Sequence, residues 1–192
     1  KMDELVSAIR QNEGRNSDLI YNISRLFARY SSRKQYVLDR TLSLLDMAIM
    51  HQPENAAYYA EIGSQKAMIC DFQGAYQAFQ KAVSFDESLL TPLYGMINCR
   101  IKQEMIDDAQ QQLEFVTEIG QSQVPKSAEH AYLEAVIEWR KKGNKSEAIR
   151  MLDQSLNLHI SQTKTAPSNI EFYIRLNADF LMTLAQEYLV HC

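Results

Sequence analysis

A chain of 192 residues with 20 basic and 24 acidic side chains, net charge −4, can bury one substantial core and has no surplus of cations for a nucleic-acid surface. Its three cysteines, Cys70, Cys99 and Cys192, are odd in number and far apart, which sets aside a disulfide framework and fits reduced thiols in a cytosolic protein. No signal peptide opens it, no apolar run approaches the roughly 18 residues of a membrane span, and its start at Lys1 suggests a piece of something longer.

Residues 3–11 are expected to make one or two helical turns with Leu5, Val6 and Ile9 on one face, and Gln11–Ser17 to be a polar connector. Residues 1–17 therefore read as a leading helical turn or linker. Ser17 or Asp18 caps the next helix, which runs to about Tyr30 with Ile23, Leu26, Phe27 and Tyr30 as its buried stripe. A second helix spans roughly Gln35 to Met50, and Pro53 stops it. In the segment Ala56–Leu89, small and aromatic residues recur at helical spacing: Gly63, Ala75, Phe79 and Ala82. Thr41, Leu45 and Ala48 precede the last three by 34 residues, and Ala109, Leu113 and Val116 follow them by 34.

Pro92 suits the first turn of the next helix, with Leu93, Met96, Ile97 and Arg100 turned inward and the Arg100 charge reaching water. The period then slips, since Ala148 lies 39 residues after Ala109, with Leu152 and Ser155 behind it. The extra residues fall in Ile119–Ser127, a loop by composition. Tyr132, Ala135, Val136 and Trp139 form the stripe of the following helix, and Gly143 and Asn144 its turn. Beyond Leu156 a polar linker, Ser161–Ser168, leads to a short helix, Asn169–Leu176. Asn177 caps a longer one, Ala178–His191, with Phe180, Leu181, Leu184, Tyr188 and Leu189 on a broad apolar face.

A small–aromatic–small pattern with a period of about 34 residues marks the tetratricopeptide repeat, in which alanine-sized side chains let paired helices approach. The expected fold is all-α: an α-solenoid of stacked antiparallel helix pairs winding into a right-handed superhelix. Four repeats occupy about 18–55, 56–89, 90–128 and 129–160, and residues 161–192 hold a linker and the terminal helix of an incomplete fifth. Gly63, Ala75, Phe79, Ala82, Ala109, Leu113, Val116, Ala148, Leu152 and Trp139 are the residues expected to pack the repeats together.

Catalytic and metal chemistry finds no foothold in this pattern. The four histidines, His51, His130, His159 and His191, are scattered, and none lies three or four residues from another histidine or a cysteine. No phosphate loop, dinucleotide fingerprint or nucleophile elbow is present. Asp107-Asp108 reads as a cap and solvated face, and Cys70 and Cys99 lack the histidine neighbour a reactive thiol needs. The expectation is a non-enzyme that takes no cofactor, metal or small-molecule substrate and binds other proteins. Counting along the first helices places Ala57, Ala60, Ser64 and Ala67, then Thr91, Tyr94, Asn98 and Ile101, then His130, Leu133, Ile137 and Arg140 on a concave groove. A clamp for a peptide carboxylate needs Lys, Arg and Asn there, and only Asn98 and Arg140 qualify. The groove is expected to pack on a helix or on neighbouring repeats; the alternative is a shallow surface whose alanines permit tight curvature. Met47, Met96 and Met105 read as core filler and Trp139 as a core anchor.

The segments His51–Gly63, Asp107–Ser122 and Arg175–Cys192 resemble the interior of the tetratricopeptide repeat protein 21 family, a likeness that covers about residues 40–192 with its irregular loops. That resemblance implies a scaffold within intraflagellar transport complex A, serving retrograde movement along cilia and cargo entry into them. It also implies location in the cytoplasm, cilium and basal body, with subunits of the complex as partners. The rival reading is a chaperone-adaptor module that holds a peptide tail.

Overall fold

The computed structural model describes residues 1–120, 127–167 and 169–191, and among these it contains eleven α-helices and no strand. They are α1 (Met2–Asn12), α2 (Ser17–Tyr30), α3 (Gln35–His51), α4 (Ala56–Met68), α5 (Phe72–Phe85) and α6 (Leu90–Lys102), followed by α7 (Ile106–Gly120), α8 (Ala128–Lys142), α9 (Lys145–Lys164), α10 (Ile170–Leu176) and α11 (Ala178–His191). The fold is an all-α helical repeat of the solenoid class. The loop expected at Ile119–Ser127 lies largely outside the described residues. The chain divides into two compact units, Lys1–Gly95 and Met96–Cys192.

Short polar side chains start these helices as helix physics requires, accepting the orphan N–H groups of the first turn. Asn55 accepts from Ala57 N at 3.1 Å, Asp71 from Gly74 N at 2.9 Å, Ser127 from His130 N at 3.1 Å and Asn144 from Glu147 N at 3.3 Å. For α2 the cap is Asn16, which accepts from Leu19 N at 3.2 Å; Ser17, expected as a cap, is already helical and buried. The residue that closes the first helix of a pair sits in the left-handed region at Cys70 (φ +63°), Glu104 (φ +62°) and Gly143 (φ +63°). These positions lie 34 and 39 residues apart, the same two intervals that separate the alanines of the second helices.

In the first unit, Val6 and Ile9 of α1 pack with Ile20 of α2, Leu44 and Ala48 of α3 and Tyr58 of α4. The leading segment is thus a full helix docked on α3 rather than a turn or linker, and it is fastened by Arg10 donating to Ser43 Oγ at 2.6 Å. The stripe expected on α2 is rotated. Ser17, Ile20, Ser24 and Ala28 face inward, while Phe27 and Tyr30 are 37% and 43% exposed. The reason is close approach: Ser24 Oγ donates to Thr41 O at 3.2 Å, a contact that leaves no room for an aromatic ring on that face.

Phe79 of α5 is buried against two helix-interior glycines. A Cβ built on Gly63 of α4 would stand 2.6 Å from its ring, and one built on Gly95 of α6 would stand closer still. Tyr59 and Ala60 meet Ala82 beside it. Ala75 and Ala82 are fully buried.

In the second unit α8 and α9 form a close pair, with Ala128, Ala131, Tyr132, Leu133, Ala135 and Val136 buried on α8 and Ala148, Leu152 and Ser155 on α9. Ser155 Oγ donates to Ala128 O at 2.7 Å. Ala109, Leu113 and Val116 of α7 are buried as well. Helix α9 runs through Lys164, so the polar linker expected from Ser161 begins as helix; Ser161 and Thr163 hydroxyls bond back to Leu158 O and His159 O at 2.8 Å. Helices α10 and α11 cover that extension. His159 Nε2 lies 2.9 Å from Leu176 O and its ring packs tilted against Phe180, with centroids 5.0 Å apart. Tyr188 donates to Asp153 Oδ1 at 2.6 Å, and burial, together with this bond to a carboxylate, raises its pKa well above the ordinary tyrosine value. Of the apolar face expected on α11, Leu184 is buried but Leu189 is 78% exposed. Trp139 is half-buried rather than a core anchor, Met105 is exposed, and Met47 and Met96 are partly buried.

Replacing Gly63 or Gly95 by Ala forces a methyl into the Phe79 ring and is expected to cost about 1–3 kcal/mol in urea unfolding. Phe79→Leu in the Gly95→Ala background recovers part of that loss, because the two sites share one space. Cys70→Gly relieves a left-handed backbone without removing a buried contact and should stabilise by about 0.5–1 kcal/mol. Cys70→Ala, which keeps the strain, gains nothing in the same assay.

Candidate functional site

In the second unit a cleft of about 380 Å³ opens between α7 and α8 and reaches the start of α9. Helical spacing builds it: residues at i, i+3, i+4, i+7 and i+8 from Gln110 on α7 and from Glu134 on α8 face each other across it. Leu113, Ile137 and Met151 supply an apolar floor, and Glu114, Glu118, Glu134 and Glu138 stand around it. Lys141 and Lys142 close one end. Both ammonium groups are taken: Lys141 by Asp107 at 2.6 Å and Lys142 by Glu138 at 2.8 Å. Beside Met151, Arg150 is held by Glu147 at 2.6 Å, and that guanidinium lowers the Glu147 pKa below the usual carboxylate value. Glu114 accepts from the neutral amide of Gln110 at 2.6 Å, and His130 Nε2 stands 3.3 Å from Glu134.

The groove expected from the first helices is not an open surface. Ala60, Ile101, His130, Leu133 and Ile137 are buried within the chain itself, because these positions meet neighbouring helices instead of solvent. Ala57, Ser64, Tyr94 and Asn98 are half-buried, and Arg140 is exposed with its guanidinium on Glu104 at 3.1 Å. Ile137 alone among these residues lines the cleft. Ala67 is half-buried and Thr91 exposed. Counting positions from a repeat consensus finds faces that helices share with each other, and it passed over the α7 glutamates, which belong to no consensus position.

A second feature missed from sequence is a polar hub in the first unit. Glu61 of α4 is 3% exposed and receives both terminal nitrogens of Arg29, on α2, at 2.9 and 3.0 Å. Arg25 Nε lies 4.0 Å away, and its guanidinium stacks over Tyr21 at 5.0 Å. Gln65 donates to Glu61 at 2.9 Å and accepts from Thr41, on α3, at 2.8 Å. Arg25 and Arg29, like Glu61 and Gln65, are spaced i, i+4, so each helix presents two polar groups on one face. That spacing was the available signal. The arrangement ties α2, α3 and α4 together and leaves no acid or base exposed for chemistry. Among the described residues no three His, Cys, Asp or Glu side chains are grouped to hold a metal ion, and no helix is long and apolar enough to cross a membrane.

Comparison with known proteins places the chain. A family model described as the tetratricopeptide repeat protein 21 second ARM domain matches residues 1–192. Tetratricopeptide repeat protein 21B of Homo sapiens is 34% identical over all 192 residues, and that of Mus musculus 33%. Tetratricopeptide repeat protein 21A of Mus musculus is 27% identical over the same length. The chain spans 14% of the length of each of these relatives. A solved structure of MamA from Desulfovibrio magneticus RS-1, residues 41 to the end, superposes with a TM-score of 0.54 at 17% identity. It covers 91% of this chain and 92% of that one, a likeness of fold.

Removing one partner of the buried pair strands the other charge, so Glu61→Ala or Arg29→Ala should each cost about 3–5 kcal/mol in chemical denaturation. The double change Glu61→Leu with Arg29→Leu should lie closer to the parent than either single change, since neither member of the bidentate pair is then left without the other and only the partly exposed Arg25 loses a neighbouring charge.

Proposed function

Because the chain belongs to the tetratricopeptide repeat protein 21 family, we propose that it is a non-enzymatic scaffold segment on which other proteins assemble. The observation that carries this reading is the family match along every residue, joined to a fold made only of packed helices among the described residues. Helices of this kind offer extended surface for docking and no concave pocket of convergent catalytic groups. Within the same proposal, α2–α9 form four repeats at about 18–55, 56–89, 90–128 and 129–160, with 161–192 belonging to a fifth. The finer role follows from the resemblance noted in the sequence. The segment serves a subunit of intraflagellar transport complex A in retrograde ciliary transport and cargo entry, in the cytoplasm, cilium and basal body. Its partners are other subunits of that complex. The chaperone-adaptor alternative is disfavoured by the missing basic clamp: of the lysines, arginines and asparagines it needs along the groove, only Asn98 and Arg140 are present, and Arg140 is paired with Glu104.

Deleting this segment in frame from the full-length family protein, in ciliated cells, is expected to slow or abolish retrograde particle movement in live imaging and to weaken co-purification of complex subunits. Normal retrograde velocity and frequency with an intact complex would overturn the proposal.

A further inference from the structure

We propose that the cleft between α7 and α8 is the docking site for a basic amphipathic helix of a partner protein, with Glu114 and Glu118 binding lysine or arginine one turn apart and Leu113, Ile137 and Met151 receiving an apolar side chain. This names the kind of partner for the scaffold reading and rests on it.

Three observations carry it. The first is charge. Helix α7 contains Asp107, Asp108, Glu114 and Glu118 and not one lysine, arginine or histidine. The cations at the cleft are already matched within the fold, Lys141 to Asp107, Lys142 to Glu138 and Arg150 to Glu147. Among the described residues no lysine or arginine is bound to Glu114 or Glu118.

The second is cost. Like charges at i, i+4 repel, and a carboxylate in the last turn of a helix faces the negative end of the helix dipole. Glu114 and Glu118 do the first, and Glu118, close to the end of α7 at Gly120, does the second. Charges that weaken their own helix and meet no cation among the described residues, Glu114 having only the neutral Gln110 amide, mark a site whose charge compensation comes from outside.

The third is shape. At about 380 Å³ the cleft is at the small end of the roughly 300–1,000 Å³ typical of binding clefts, enough for anchoring side chains and too small for a whole helix. A helix lying across it would sink one or two large apolar residues while its flanking cations meet the rim. Carboxylates one turn apart on α7 match cations one turn apart on such a helix. Phe115, 60% exposed and one turn from Glu118, offers an aromatic face to an incoming guanidinium.

The test uses a fluorescent synthetic amphipathic helix with a leucine stripe flanked by arginines one turn apart, and a twin in which glutamates replace the arginines. In anisotropy titrations at physiological salt, the arginine peptide binds the chain and the glutamate twin does not. Glu114→Arg with Glu118→Arg weakens binding by about tenfold or more. Glu114→Gln with Glu118→Gln also weakens it while leaving thermal stability unchanged or raised, the opposite of what a structural role predicts. Methyl resonances of Leu113, Ile137 and Met151 shift on titration. Equal binding of both peptides, no binding of either, or undiminished binding by the charge-reversed chain overturns the proposal. In ciliated cells, normal transport with the charge-reversed protein alongside failed transport on deletion of the whole segment would remove the cleft and leave the scaffold reading standing.

Discussion

The first unit is organised by one aromatic ring held between two bare helix backbones. Phe79 lies where Gly63 of α4 and Gly95 of α6 have no side chain to offer. A glycine inside a helix costs about 1 kcal/mol against alanine, so two of them spend stability that only a close fit recovers. Burying a phenylalanine contributes about 1.5–3 kcal/mol, and the fit also fixes how near the backbone at Gly63 and at Gly95 comes to α5. Once that spacing is set, the partners on either side must be small. Ala75 and Ala82 on α5, and Ala60 on α4, follow from it.

Close approach of this kind leaves little space for large apolar groups between α2, α3 and α4, and polar groups fill the seam instead. Ser24, Thr41, Gln65, Glu61 and Arg29 form a chain of hydrogen bonds that ends in a bidentate ion pair. A buried pair of this sort adds little net stability compared with an apolar substitute, because both ions lose their hydration. Its effect is on alternatives. A helix that slides by one residue strands Glu61 or Arg29 without a counter-charge, so one register is strongly preferred over its neighbours.

Much of this was readable before any coordinates. The intervals of 34 and 39 residues between Ala75, Ala109 and Ala148 return in the left-handed residues Cys70, Glu104 and Gly143, although only the last is a glycine and announces itself. Tertiary packing imposes that backbone on a cysteine and a glutamate, and local propensity cannot report it. On α2 the large apolar residues do not mark the inward face. In a seam of small residues the inward row is Ser17, Ile20, Ser24 and Ala28, and hydrophobicity ranks it below Ile23, Leu26, Phe27 and Tyr30. Gly95 escaped because its partner ring lies on the preceding repeat, two residues out of step with the consensus glycine at Gly63. The groove residues are a related case: consensus counting assigns a face, while burial of Leu133 and Ile137 is decided by which helix comes next.

These cases separate two kinds of residue in a repeat protein. Positions that recur with the period are bound by the need of each helix to bury itself on its neighbours, and they are spent on that task. A residue free to recognise something else must lie off the period, and it betrays itself by breaking a local rule that packing does not repair. Phe27 and Tyr30 expose apolar area, but scattered exposed aromatics are ordinary on protein surfaces. Glu114 and Glu118 are different, since repulsion along α7 makes them costly in the isolated chain. Where the consensus is silent and the local electrostatics run against the helix, the surface carries information that the fold itself does not require.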